Sequence, residues 1–277
     1  MRALLQRYAP MLLINAFRNL RDTGQIAALP RQSFAADNLR PAGTLDLNTI
    51  FSSPGWQDDW LVDHAAVCDV FGEKNLAGGV NPGDRRAIYA LIHSLKPQSL
   101  LEVGTHIGAS MLYIARALKH GGGKVTTVDI CDVNDPYTGA WRSSELPNSP
   151  AQMAEQLGCA DRVAFVAQSS ISYLKDTAET FDFIFLDGDH SARSVYEEVA
   201  AALPRLREGG VILLHDYYPQ GRALFPDGNI IYGPFRAIDR VLKENPQINV
   251  LPLGELPWPT KQGSRKTSLA LLTRKER

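Results

Sequence analysis

Residues Ser99–Ser110 read S-L-L-E-V-G-T-H-I-G-A-S, and how this stretch folds decides the architecture. Leu100, Leu101 and Val103 make a short apolar run bounded by turn residues, the pattern of a buried strand. Gly104 and Gly108 frame a tight turn, and Met111, Ile114, Ala115 and Leu118 then recur at helical spacing. Strand, glycine loop and helix together present backbone N–H groups at a helix N-terminus, where a nucleotide-like ligand approaches closely. A dinucleotide fingerprint requires G-x-G-x-x-G, but here His106 stands between the two glycines. Glu102, inside the strand end, would repel a pyrophosphate and suits a ligand that carries a cationic amino acid part. The plainer alternative is an ordinary α/β turn whose glycines only relieve strain.

Strands and helices alternate downstream. Strands are predicted at Lys124–Asp129, Arg162–Ala167, Phe181–Leu186, Val211–Leu214, Ile248–Leu253 and Ser268–Thr273. Helices fall before and between them, the first over Asp84–Leu95 and a later one from about Ser191 to Leu203. Gly209–Gly210 is read as a turn into the fifth strand. Such alternation implies a parallel sheet with helices on both faces. The last two strands have no helix between them and pair antiparallel. The expected fold is α/β, Rossmann-like: a seven-stranded, mostly parallel sheet with helices on both faces, an antiparallel C-terminal strand pair and an N-terminal helical extension.

Two regions are expected, an extension over residues 1–83 and a sheet domain over 84–277. Met1–Leu29 reads as one or two helices, interrupted by Pro10, with Leu4, Leu5, Tyr8, Leu12 and Ile14 on an apolar face. Those helices pack on their own domain or form a homodimer contact. Pro30–Pro54 reads as a linker or irregular wrap. In Gly55–Gly83, Trp56 and Trp60 either anchor a helix on the core or belong to a lid that ends in the Gly-rich stretch Gly78–Gly83.

Composition excludes several classes. The chain has 277 residues, 44% of them apolar, enough for one full domain with an extension. A net charge of −1 gives no support for nucleic-acid binding, which shows a basic excess. Cys68, Cys131 and Cys159 form no C-x-x-C pair, which implies neither a disulfide framework nor a zinc knuckle and points to the cytoplasm. Met11–Phe17 is apolar but too short to span a bilayer and lacks a small-residue cleavage site, so no membrane span or signal peptide is read.

Ligands of an open parallel sheet sit at the carboxyl ends of its strands. Those ends carry Thr105 and His106, Asp129, Gln168 and Ser169, Asp187, and His215 with Asp216. Asp129 lies about 20–25 residues past the glycine loop, where an acidic residue meets a ribose diol; a turn or cap role is its plainer alternative. Gln168 and Ser169 are placed to read an adenine edge. Asp187, Asp189, His215 and Asp216 come near one point, an oxygen-rich cluster suited to Mg²⁺, although imidazole prefers Mn²⁺, Fe²⁺ or Zn²⁺. Either His215 binds one of those ions, or it sits beside the metal and Asp189 or water completes the shell, or the cluster holds no metal. The aromatics Tyr217, Tyr218, Phe225, Tyr232 and Phe235 either line an acceptor pocket or pack their own loop. His93 and His120 lie on predicted helix faces and are read as having no part in the chemistry.

The form E-V-G-T-H-I-G-A-S, without a middle glycine, resembles motif I of the class I S-adenosylmethionine (SAM) methyltransferases, in the catechol and macrocin O-methyltransferase branches. L-D-G-D-H-S, followed by a helix and G-G-V-I-L-L-H-D-Y-Y, looks most like the macrocin-type and cephalosporin-hydroxylase-like members. The resemblance covers roughly Asp84 to the C-terminus. It implies SAM held by Glu102, Gly104, Thr105, His106, Gly108, Ser110, Asp129, Gln168, Ser169 and Asp187. It further implies a divalent metal, Mg²⁺ or Mn²⁺, on Asp187, His215 and Asp216. His190, three residues past Asp187, matches the residue that takes the proton from an acceptor hydroxyl; capping the next helix is its plainer role. The implied acceptor is a small molecule such as a natural-product sugar or a phenol. The rivals are a cephalosporin-hydroxylase-like metal enzyme on the same fold and an NAD-linked oxidoreductase, against which Glu102 and the missing glycine speak.

Overall fold

The computed structural model describes residues 10–72 and 79–276; Leu4, Leu5, Tyr8 and Gly78 lie outside them. The strands are β1 Ser99–Val103, β2 Lys124–Asp129, β3 Val163–Ala167, β4 Phe181–Leu186, β5 Leu206–Leu214, β6 Ile248–Pro252 and β7 Ala270–Arg274. The helices are α1 Met11–Ala27, α2 Leu47–Ser52, α3 Gln57–Phe71, α4 Pro82–Leu95, α5 Ala109–Gly121, α6 Ala140–Ser143, α7 Pro150–Gln156, α8 Ser170–Asp176, α9 Ala192–Ala202 and α10 Tyr232–Glu244. The sheet has seven strands in the order β3-β2-β1-β4-β5-β7-β6. β1 to β5 pair parallel, and β7 runs antiparallel between β5 and β6. The fold is the expected one.

The period of two along each strand divides the core. Leu100, Phe183 and Phe185 face one layer, which holds α2 to α5. Leu101, Val103, Ile184 and Leu186 face the other, which holds α8 to α10. Glu102 shares the pleat face of Leu100 and so enters the first layer.

The segment before α4 wraps both layers. Trp56 and Trp60 are buried, and the Arg86 guanidinium lies 5.4 Å from the Trp56 ring and 4.5 Å from that of Trp258. These tryptophans anchor α3 on the core. Residues 38–41 bridge to the sheet: the Arg40 N–H donates to the Gly210 carbonyl at 2.9 Å. That pairing explains why β5 begins at Leu206, earlier than the glycines imply. Gly209–Gly210 makes a register shift within the strand instead of a turn before it.

α1 differs more from expectation. Its buried residues are Asn15, Asp22 and Ile26, while Leu12 is 79% exposed. The Asn15 side chain donates to the Gly228 carbonyl at 2.7 Å and accepts from the Ile230 N–H at 3.2 Å. The helix thus docks through polar contacts and turns Leu12, Leu13, Phe17 and Leu20 outward. No helix among the described residues is long and apolar enough to cross a membrane.

Candidate functional site

The chain reverses its direction of winding between β1 and β4, so their carboxyl ends open a crevice. Backbone hydrogen bonds carry the sheet past the strand ends and fix the loops there. Gly104 N–H donates to Val128 O at 2.8 Å, Asp187 N–H to Val103 O at 2.9 Å and His215 N–H to Leu186 O at 3.1 Å. The cavity above them has a volume of about 590 Å³, within the usual range for small-molecule sites.

Ten of the expected residues line it: Gly104, Thr105, His106, Ser110, Asp129, Ser169, Asp187, His190, His215 and Asp216. Two of them, His106 at φ 48° and Asp216 at φ 53°, hold left-handed backbone that costs a non-glycine residue about 1 kcal/mol. Such geometry gathered at one cavity marks a site built for a ligand. The Asp129 carboxylate accepts from the backbone N–H of His106 at 2.9 Å and of Cys131 at 3.2 Å. It therefore pins the glycine loop to the end of β2 and stands at the cavity wall beside Ile130, an apolar side chain 76% exposed.

Glu102, Gly108 and Gln168 lie off the lining. Gly108 is the N-cap of α5, and Gln168 reaches Asp176 instead. Glu102 is fully buried behind the loop, where its Oε2 accepts from the Thr127 hydroxyl at 2.6 Å. Thr127 in turn lies 2.6 Å from the Thr105 hydroxyl. Burial pushes the Glu102 carboxyl from its ordinary 4.5 up to about 8, against the hydrogen bonds of Thr127 and Ser110. Near neutrality it is thus a neutral brace under the loop.

Glu198 was not anticipated. It lines the cavity from α9, accepts from the Ser170 hydroxyl at 2.6 Å, and burial raises its carboxyl to about 7. A glutamate among Val195, Val199 and Ala202 on a buried helix face was the available signal. Both carboxyls hold protons in the folded chain that the unfolded chain releases above about pH 4.5. Their sign is therefore destabilising as pH rises from there through 7 and 8. Melting temperature should fall between pH 6 and pH 8.5, and Glu102→Gln should flatten the fall; a variant with the wild-type slope would contradict this assignment.

The far wall carries the charge. His215 Nδ1 lies 2.7 Å from Asp187 Oδ1 and 3.7 Å from Asp216 Oδ2, and Nε2 lies 3.5 Å from the buried Asp84. These are ion-pair separations without hydrogen-bond alignment, since neither ring nitrogen has an aligned partner. Burial opposes charge on the ring, but the Asp187 and Asp216 carboxylates outweigh it and hold its pKa well above the ordinary value. His190 Nε2 lies 3.6 Å from Asp216 Oδ2. It is not the cap of α9; Ser191 is, through its hydroxyl and the Ser194 N–H. Asp189 is taken up by the same turn: it accepts from the Ser191 and Ser194 hydroxyls at 2.9 and 2.7 Å and so is not placed to complete a metal shell. Of the aromatics after β5, Tyr218, Phe225 and Tyr232 pack their own loop around Ile230, while Tyr217 and Phe235 pack into the main core.

Residues 101–217 match a family model described as a methyltransferase domain. The rhamnosyl O-methyltransferase of Mycobacterium leprae is 28% identical over 164 residues, covering 56% of this chain and 63% of that protein. The caffeoyl-CoA O-methyltransferase of Stellaria longipes is 23% identical over 158 residues, covering 55% and 59%. The matched part thus spans less than two thirds of these curated relatives. The Bacillus cereus O-methyltransferase in complex with S-adenosylhomocysteine (SAH) has a TM-score of 0.54 at 21% identity, covering 83% of this chain and 100% of that one. TomG, the Streptomyces achromogenes O-methyltransferase solved with SAM, has a TM-score of 0.52 at 20% identity, covering 79% and 91%. These structures share the fold. Residues 101–217 are thus similar to a methyltransferase domain, and the chain has the fold of O-methyltransferases solved with SAM or SAH.

Proposed function

We propose that this protein methylates a hydroxyl oxygen of a small molecule, with SAM as the donor. The observation that carries the reading is a single cavity with Asp129 on one wall and His190, Asp187, His215 and Asp216 on the other. The cavity fits the donor. It has a carboxylate at the end of β2 for a ribose diol, Ile130 and Ile171 for an adenine face, and a tight backbone turn at Gly104–Ser110. Bound there, SAM supplies an electrophilic methyl group for in-line displacement. His190 receives the acceptor's proton at a ring nitrogen, and its Nε2 lies 3.6 Å from Asp216 Oδ2. The wall holds the acceptor oxygen in line and limits its access to water.

The reading includes a divalent metal. Asp187, His215 and Asp216 would hold it. A cation there would take the place of the proton that Asp187 and Asp216 favour on His215, and a donor set with imidazole favours Mn²⁺ over Mg²⁺. Such an ion lowers the pKa of an acceptor hydroxyl. The relatives' printed names, rhamnosyl and caffeoyl-CoA, support a sugar or phenol-like acceptor of natural-product type. The outward row Leu12, Leu13, Phe17 and Leu20 supports a homodimer contact through α1, which light scattering would read as twice the chain mass.

Asp129→Ala tests the donor site. It should weaken SAH binding by about 10- to 100-fold, the loss of two charge-assisted hydrogen bonds. Undiminished affinity in the variant would remove Asp129 from the site.

A further inference from the structure

We propose that Asp59, His93 and His120 form a second metal site, of Zn²⁺ chemistry, at the end of the molecule remote from the cavity. Their donor atoms all lie within 4.8 Å of one another. Asp59 Oδ2 lies 2.9 Å from His93 Nε2 and 3.4 Å from His120 Nδ1. The three residues come from α3, α4 and α5, so the cluster is a product of the fold. His120 ends the helix that the glycine loop begins, roughly 18 Å from it along the axis at 1.5 Å per residue.

The surroundings are those of a metal-binding histidine. His120 Nε2 lies 3.0 Å from Asp63 Oδ2, a buried carboxylate. Asp63 is itself fixed by the Tyr89 hydroxyl at 2.8 Å and by Arg116 Nε at 2.7 Å. Asp63 thus holds the proton on Nε2 and leaves the Nδ1 lone pair facing Asp59 and His93. A carboxylate behind the far nitrogen is the usual support of an imidazole ligand. His93 and His120 also sit in the last turns of α4 and α5, where the helix dipoles favour a cation.

Two imidazoles and one carboxylate disfavour Mg²⁺ and Ca²⁺ and suit Zn²⁺. Bonds of about 2.0–2.1 Å place tetrahedral ligands roughly 3.3 Å apart, so the donors need move little. Asp59 is partly exposed, with its side chain 42% accessible, which leaves an entry path and room for water as a fourth ligand. The ion would tie α3, from the segment before the sheet domain, to α4 and α5.

The test uses the full chain stripped with chelator and Zn²⁺ alone as the probe. Asp187→Asn with Asp216→Asn removes the two carboxylates proposed to hold a metal in the cavity. In that parent, equilibrium dialysis should still find one Zn²⁺ per chain, and saturation should raise the melting temperature by about 5 °C. Adding Asp59→Asn, a near-isosteric change, should weaken binding at least tenfold. His93→Gln with His120→Gln should abolish it. Asp59→Asn carries the test alone if the histidine pair does not fold. Zn²⁺ held at parental affinity by the folded variants, or no Zn²⁺ bound by the parent, overturns the site; in that case the cluster is a hydrogen-bond network only.

Discussion

Gly104→Ala should lower the unfolding free energy by about 3 kcal/mol or more and abolish SAH binding. Gly104 has φ 96°, a region that L side chains rarely adopt. A Cβ there would also collide with the Asp187 carbonyl oxygen and lie 2.8 Å from its carbonyl carbon. That backbone cannot yield cheaply, because the Asp187 N–H is bonded to Val103 O at 2.9 Å as a continuation of the β1–β4 ladder. Either the loop lifts away, losing the turn at the cavity, or β4 shifts against β1. Urea unfolding reads the stability, and a variant as stable as the parent would show that the crevice floor is not rigid.

His190→Ala should lower turnover by about 100- to 10,000-fold while sparing affinity for SAH. His190 stands on the wall opposite Asp129, so its removal leaves the donor's contacts in place. Its backbone is held by the start of α10: any Cβ at Gly233 would strike the His190 carbonyl, so only glycine permits this approach. Since Ser191 caps α9, the His190 ring has no structural duty to that helix. A fall in kcat with unchanged SAH affinity marks proton transfer. Wild-type turnover would move the base elsewhere, and a matching loss of SAH affinity would mark a binding role.

The sheet was legible because its strands carry local signals. The runs at β1 and β4 are largely apolar, β2 sets Val125 and Val128 among threonines, and the limits of all three match the expected ones. The absence of a helix between β6 and β7 revealed the antiparallel pair. What escaped notice depends on distant partners. The β5 glycines looked like a turn, but residues 38–41, far earlier in the chain, pair with them. The apolar face of α1 left open whether Leu12 packs on its own domain or at a dimer contact, and Leu12 is exposed. The helix buries Asn15 instead, because the loop at 228–230 offers it a carbonyl and an N–H.

The site divides in the same way. Residue type and position after each strand located both walls of the cavity. Sequence does not show the depth at which a charged side chain lies, so Glu102 looked like a ligand contact although it braces the loop from beneath. Glu198 lay hidden in a helical pattern, and Asp59, His93 and His120 belong to three segments that only tertiary packing brings together.

The most direct measurement is a calorimetric titration of the purified protein with SAH, with and without Mn²⁺. The proposed function requires one site per chain with a dissociation constant on the order of micromolar. Folded protein that takes up no SAH under either condition would contradict it and leave the glycine loop as an ordinary α/β turn.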